Sequence, residues 1–151
     1  MKKVLVLNGP NLNLLGQREP AVYGRETLDD VHRLCAEAAA RLGVAVQCLQ
    51  SNHEGQLIDW LHQAGREQAQ GSLLGVVMNP GAYTHTSIAL HDAIKGADVT
   101  LIEVHLSNVH TRETFRHHSY VSPVARGIII GLGVQGYALA IEALVGVSGR
   151  G

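Results

Sequence analysis

Arg18 and Tyr23 share one loop between Gly16 and Gly24, and Arg112 and Arg116 stand one turn apart much later in the chain. A free tyrosine titrates near pH ~10, so it is a poor base unless nearby cations stabilise its phenolate. Arginines supply that field and keep their own charge at neutral pH. They also grip carboxylates with two hydrogen bonds, which suits an anionic substrate. His105, beside Ser107 at the end of an apolar run, has a pKa suited to a general acid. Glu103, two residues earlier on the same strand face, is placed to orient it. These residue types point to acid–base chemistry.

Other chemistries fit less well. The nine histidines raise the question of a metal, but His117 and His118 are adjacent and diverge, and no H-E-x-x-H occurs. The expectation is no metal. Lysine occurs only at Lys2, Lys3 and Lys95, outside any polar cluster, which argues against a Schiff base. Neither a nucleophile elbow nor a P-loop is present. Gly131-Leu132-Gly133-Val134-Gln135-Gly136 matches the dinucleotide pattern G-x-G-x-x-G. It follows the last strand, however, with no second βαβ half and no room for the ribose-binding acid. A tight strand-to-helix turn is the better reading, and a nucleotide-binding or regulatory module the competing one.

The elements that must position these groups follow from hydrophobic pattern. Apolar runs at 3–8, 44–50, 73–79, 99–104 and 127–131 lack clean alternation, as in strands with helices on both faces. Between them, Leu28, Val31, Leu34, Cys35, Ala38 and Leu42 recur at helical spacing before Gly43. Leu57, Ile58, Leu61 and Ala64 mark a second helix; Ile88, Ala89, Asp92, Ala93 and Ile94 a third, stopping near Gly96. A short turn at 111–115 is the expected fourth, and 137–145 the last. Strands alternating with helices imply an α/β fold, flavodoxin-like, with a five-stranded parallel sheet of order 2-1-3-4-5.

Ligands of such sheets bind beyond the carboxyl ends of the strands. Every polar cluster here lies there: Asn8 and Asn11, Gln50-Ser51-Asn52-His53-Glu54, Asn79 to His85, Glu103 to Ser107, and the glycines after residue 130. The loop at about 9–25 is long for a strand-to-helix connection and too apolar, with Leu12, Leu14, Leu15 and Val22, for a solvated linker. It reads as an active-site lid.

Composition bounds the rest. The 151 residues, 46% hydrophobic and 17% charged, suit a single domain over 1–151 with a tail at about 147–151 that frays. A net charge of -1 offers nothing to nucleic acid or to a membrane. The first residues run straight into a strand with no signal-peptide pattern, so a cytoplasmic location is expected. Cys35 and Cys48 fit no zinc or redox spacing and read as buried free thiols.

Longer motifs carry a resemblance. Leu7-Asn8-Gly9-Pro10-Asn11-Leu12-Asn13-Leu14-Leu15-Gly16 with Arg18, Glu19, Pro20 and Tyr23-Gly24 resembles the opening of type II 3-dehydroquinate dehydratases. So do Gln50-Ser51-Asn52-His53-Glu54-Gly55, Asn79-Pro80-Gly81-Ala82-Tyr83-Thr84-His85-Thr86-Ser87, Glu103-Val104-His105-Leu106-Ser107-Asn108, and Arg112 with Phe115-Arg116. The resemblance implies dehydration of 3-dehydroquinate to 3-dehydroshikimate, a shikimate-pathway step toward aromatic amino acids, without a cofactor. It implies that Tyr23 is the base, that Arg18 stabilises its phenolate, that Asn11 helps stabilise an enolate through a water, and that His105 protonates the departing hydroxyl. Asn79, His85, Leu106, Ser107 and Arg116 would hold the substrate, and Arg112 would set the field around the lid. It further implies a homododecamer of four trimers, in which Asp92 reaches a neighbouring subunit's site.

Overall fold

The computed structural model describes residues 1–17 and 19–148, with Pro20 and Tyr23 described by their backbone alone. The strands are β1 (Lys3–Asn8), β2 (Ala45–Gln50), β3 (Leu73–Asn79), β4 (Leu101–His105) and β5 (Gly127–Ile130). All pair in parallel, in the order β2-β1-β3-β4-β5. The helices are α1 (Pro20–Tyr23), α2 (Leu28–Leu42), α3 (Glu54–Ala69), α4 (Ile88–Ala97) and α5 (Gln135–Ser148).

Successive residues of β1 feed two separate cores. Val4 and Val6 pack with Val31 and Cys35 of α2 and Ile141 and Leu144 of α5. Leu5 and Leu7 pack on the other side with Leu57 and Leu61 of α3 and Leu90 and Ile94 of α4. Burying one such side chain is worth about 1.5–3 kcal/mol, so both strand faces are apolar and no alternation survives in the sequence.

The helix ends are built locally. Thr27 caps α2: its Oγ1 accepts from Asp30 N at 3.2 Å, while its own N–H donates to the Asp30 carboxylate at 2.9 Å. Ser87 caps α4 by accepting from Leu90 N at 2.9 Å, and its hydroxyl donates to Glu54 Oε2 at 2.5 Å, tying α4 to the start of α3. Cys35 is buried and Cys48 half-buried, both free. A hydrogen bond to Cys48 and burial together hold the Cys35 thiol protonated.

Several boundaries depart from the sequence reading. The link between β4 and β5 holds no α-helix; the expected turn at 111–115 is two 3-10 turns, Val109–Thr111 and Thr114–Arg116, followed by a third at Ser122–Val124. This stretch has no apolar stripe to bury, and a short helix without one is marginal. The lid region is not all loop, since a 3-10 turn at Leu12–Leu14 and the short α1 lie within it. At the other end α5 carries Val147 and Ser148, which the sequence reading assigned to the tail, while 149–151 fall outside the described residues.

Candidate active site

Parallel register brings the strand ends to one edge. Asn8 pairs with Gln50 on one side and Asn79 on the other, and His105 pairs with Ile130. A cavity of about 220 Å³ opens at this edge. Its lining includes Asn11, Asn79, His85, His105, Leu106, Ser107, Arg112 and Arg116, so eight of the residues singled out in the sequence meet in one place. Pro10, Leu12, Gly81, Ala82 and Val109 complete the wall and were not foreseen as site residues. Asp92 does not line it; it sits on the exposed side of α4. Arg18 and the side chain of Tyr23 lie outside the described residues.

Behind the cavity stands Glu103, fully buried on β4. His105 Nε2–H donates to its Oε2 at 2.5 Å. Thr84 and Ser119 hydroxyls donate to the same oxygen at 2.6 and 3.1 Å, and Ser122 donates to Oε1 at 2.5 Å. Burial pushes the Glu103 carboxyl up, but the His105 bond and charge, with the Ser122 and Thr84 hydroxyls, outweigh it and hold it below its ordinary value. An ionised carboxylate only accepts, which assigns the His105 proton to Nε2 and leaves Nδ1 as the nitrogen free to exchange one. Ser119 and Ser122 had no signal in the sequence, because they reach Glu103 from a loop without periodicity.

His85 stacks near His105, ring centroids 6.5 Å apart at 21°. Its Nδ1 lies 2.8 Å from the His118 carbonyl, which can only accept, so Nδ1 carries the proton. Burial lowers the His85 pKa, and the charges of His105 and Arg116 add to the effect against the His118 bond. A neutral His85 therefore presents Nε2 as an acceptor. Arg112 Nη1 donates to Ser107 Oγ at 3.1 Å, and Arg116 Nε donates to Glu113 at 2.7 Å. Two guanidinium groups thus line a cavity in which anions would be attracted.

Asn79 is held at both ends of its amide. Oδ1 accepts from Gly81 N at 3.1 Å and Nδ2 donates to the Tyr137 hydroxyl at 3.0 Å. That hydroxyl in turn donates to Asn8 Oδ1 at 2.5 Å. Burial raises the Tyr137 pKa, so the phenol keeps its proton. Gly9 follows Asn8 where no side chain fits: a Cβ there would stand 2.5 Å from Pro80 O.

The lid base is pinned. Leu12 and Leu15 are buried in the core, and Asn11, at φ 69°, donates its N–H to Asn52 Oδ1 at 2.9 Å. Gln50 Nε2 donates to Gly9 O at 3.1 Å and Tyr83 OH to Asn52 O at 2.8 Å. Gln50 and Asn52 therefore brace the loop, and no residue from Gln50 to Glu54 lines the cavity, although that cluster also follows a strand. Further along the lid, Ala21, Val22 and Gly24 border a second cavity of about 560 Å³ together with Leu106, Ser107 and Arg112. The backbone flanking Tyr23 thus lies over the same strand ends as His105.

The glycines after β5 have structural work. Gly131 and Gly133 adopt φ 84° and 62° and donate their N–H groups to His105 O and Leu106 O at 3.1 and 3.0 Å. Among the described residues no three His, Cys, Asp or Glu side chains converge as metal ligands.

Comparison with known proteins places the chain in a family. Residues 2–145 match the family model described as dehydroquinase class II. The chain is 77% identical to the 3-dehydroquinate dehydratase of Variovorax paradoxus over 145 residues, 96% of this chain and 99% of that one. It is 70% identical to 3-dehydroquinate dehydratase 2 of Ralstonia nicotianae, covering 96% and 94%. Among solved structures, type II dehydroquinase from Propionibacterium acnes superposes with a TM-score of 0.90 at 44% identity, covering 97% of both chains.

Proposed function

The chain belongs to the class II dehydroquinase family, and we propose that it is a type II 3-dehydroquinate dehydratase converting 3-dehydroquinate to 3-dehydroshikimate. The observation that carries the proposal is His105, backed by the buried Glu103, in the wall of a cavity that Arg112, Arg116, His85 and Asn79 also line.

In this reading Tyr23, as phenolate beside Arg18, takes the proton from the carbon next to the ketone. The electron pair moves onto the ketone oxygen as an enolate, which Asn11 helps stabilise through a water; donors rather than a metal suffice for such a charge. The enolate then collapses, the C–O bond breaks, and His105 gives its proton to the leaving hydroxyl, which departs as water. Both side chains afterwards exchange protons with solvent to reset. Arg116, His85, Asn79 and Ser107 hold the carboxylate and hydroxyls, Arg112 sets the field, and no cofactor takes part. A closing lid would shield the phenolate from bulk water.

Membership also suggests a cytoplasmic step of the shikimate pathway and a homododecamer in which Asp92 serves a neighbouring site; its exposure on α4 suits such a role. Among the described residues no helix is long and apolar enough to cross a membrane. Adding 3-dehydroquinate to the pure protein should produce the ultraviolet absorbance of a conjugated enone. Absence of that signal at high protein concentration would reject the reaction, and gel filtration tests the assembly.

A further inference from the structure

The amide of Asn79 has only one arrangement in which all its neighbours are served. Gly81 N–H can only donate, so it requires Oδ1 on its side. Nδ2 then faces the Tyr137 hydroxyl, whose oxygen accepts and whose proton must go elsewhere. Asn8 Oδ1 receives it. The chain of donors therefore runs one way, from Asn79 through Tyr137 to Asn8: reversing Asn79 would set Nδ2 against Gly81 N–H, and reversing Asn8 would leave the Tyr137 proton without its acceptor. It also leaves Asn8 Nδ2 buried with no partner among the described residues, an arrangement that packing alone gives no reason to keep.

We propose that Tyr137 is a positioning residue: its buried hydroxyl locks the Asn79 amide so that the second Nδ2 hydrogen is held as a donor for a hydroxyl or carboxylate of the ligand. Three observations carry it. Asn79 lines the cavity, whereas Tyr137 and Asn8 do not, so any effect of the phenol on ligand passes through Asn79. Tyr137 and Asn8 are fully buried, and Asn79 nearly so, so solvent does not replace a lost partner. Asn8 and Asn79 are register partners on β1 and β3, and Tyr137 comes from the start of α5, so three elements converge on one amide at the strand-order reversal. The inference rests on the proposed reaction for its substrate, but the lock itself is a property of the chain.

The experiment is a double-mutant cycle of Tyr137→Phe and Asn79→Ala, read by steady-state kinetics with 3-dehydroquinate. Tyr137→Phe should raise KM about tenfold and change kcat less than about threefold, while adding under about twofold to KM in the Asn79→Ala background. Equal effects in both backgrounds, or an unchanged KM, would overturn the positioning role. A merely structural hydroxyl would lower the thermal midpoint and act alike in both backgrounds. Asn8→Leu, which leaves the ring in place and removes the acceptor of its proton, should raise KM in the same direction and serves if Tyr137→Phe does not fold. An independent reading is the side-chain amide NMR signal of Asn79 in asparagine-labelled protein, which Tyr137→Phe should shift; an unmoved signal overturns the lock. An inactive wild type alongside a shifted signal would reject the reaction and keep the lock.

Discussion

His105 Nε2 and Glu103 Oε2 lie 2.5 Å apart on β4, with one residue between them. The period of two along a strand puts both side chains on one face, and burial removes the water that would otherwise screen them. The His105 bond and charge, with the Ser122 and Thr84 hydroxyls, then hold the carboxyl below its ordinary value against burial. The imidazole keeps its Nε2 proton on Glu103, which leaves Nδ1 as the nitrogen that faces proton exchange.

Replacing Glu103 by Gln should therefore lower kcat by about 10²–10⁴, the range for disabling a general acid or the group that orients it. KM should change little, because Glu103 does not line the cavity. A kcat within about threefold of wild type would remove Glu103 from the mechanism.

For Tyr23→Phe the expected loss in kcat is again about 10²–10⁴, with substrate affinity preserved in equilibrium binding. Arg18→Gln should shift the rise of kcat with pH toward higher pH, since a cation lowers a phenol's pKa and its removal raises it. A near-native Tyr23→Phe enzyme would mean that another group is the base.

Acid should unfold the protein in two stages. The His85 imidazole lies below its ordinary 6.5, by burial first, and the Glu103 carboxyl below its ordinary 4.5, where its His105 and hydroxyl bonds overcome burial. In each case the unfolded chain takes up a proton that the folded chain refuses, so stability is full above the ordinary value and falls as pH drops toward the folded one. Differential scanning calorimetry should show a level midpoint above pH 7, a decline beginning near 6.5 and a steeper one below 4.5. Asp30 and Glu113 are also lowered but lie at the surface, so their share of the acid limb should shrink in high salt. A midpoint that rises on acidification from 6.5 would contradict this account.

Gly9→Ala should destabilise by about 1–3 kcal/mol, the usual cost of overpacking, because its Cβ would meet Pro80 backbone that cannot turn aside. Urea unfolding measures the loss. KM should rise as well, since the displaced Pro80 adjoins Asn79 and Gly81, which line the cavity.

Much of this protein was readable in one dimension because the signals are local. The apolar runs of β1 and β3 and the spacing of Val31, Cys35 and Ala38 in α2 are set by which neighbours along the chain must be buried together. Strand ends carrying Asn8, Asn79 and His105 pointed to one edge, since parallel strands deliver their ends to the same side. The long motifs around Asn11, Asn79 and His105 already indicated the family.

Packing decided what remained. Gln50 and Asn52 share that edge yet turn to brace the lid, and nothing in their order distinguishes them from cavity residues. Ser119 comes to Glu103 from a loop and Ser122 from a 3-10 turn, and Tyr137 reaches Asn8 across 129 positions. Such contacts depend on where α5 and the β4–β5 link settle against the sheet. Periodicity determines which face of an element is buried; it does not determine which distant hydroxyl will meet a given carboxylate or amide.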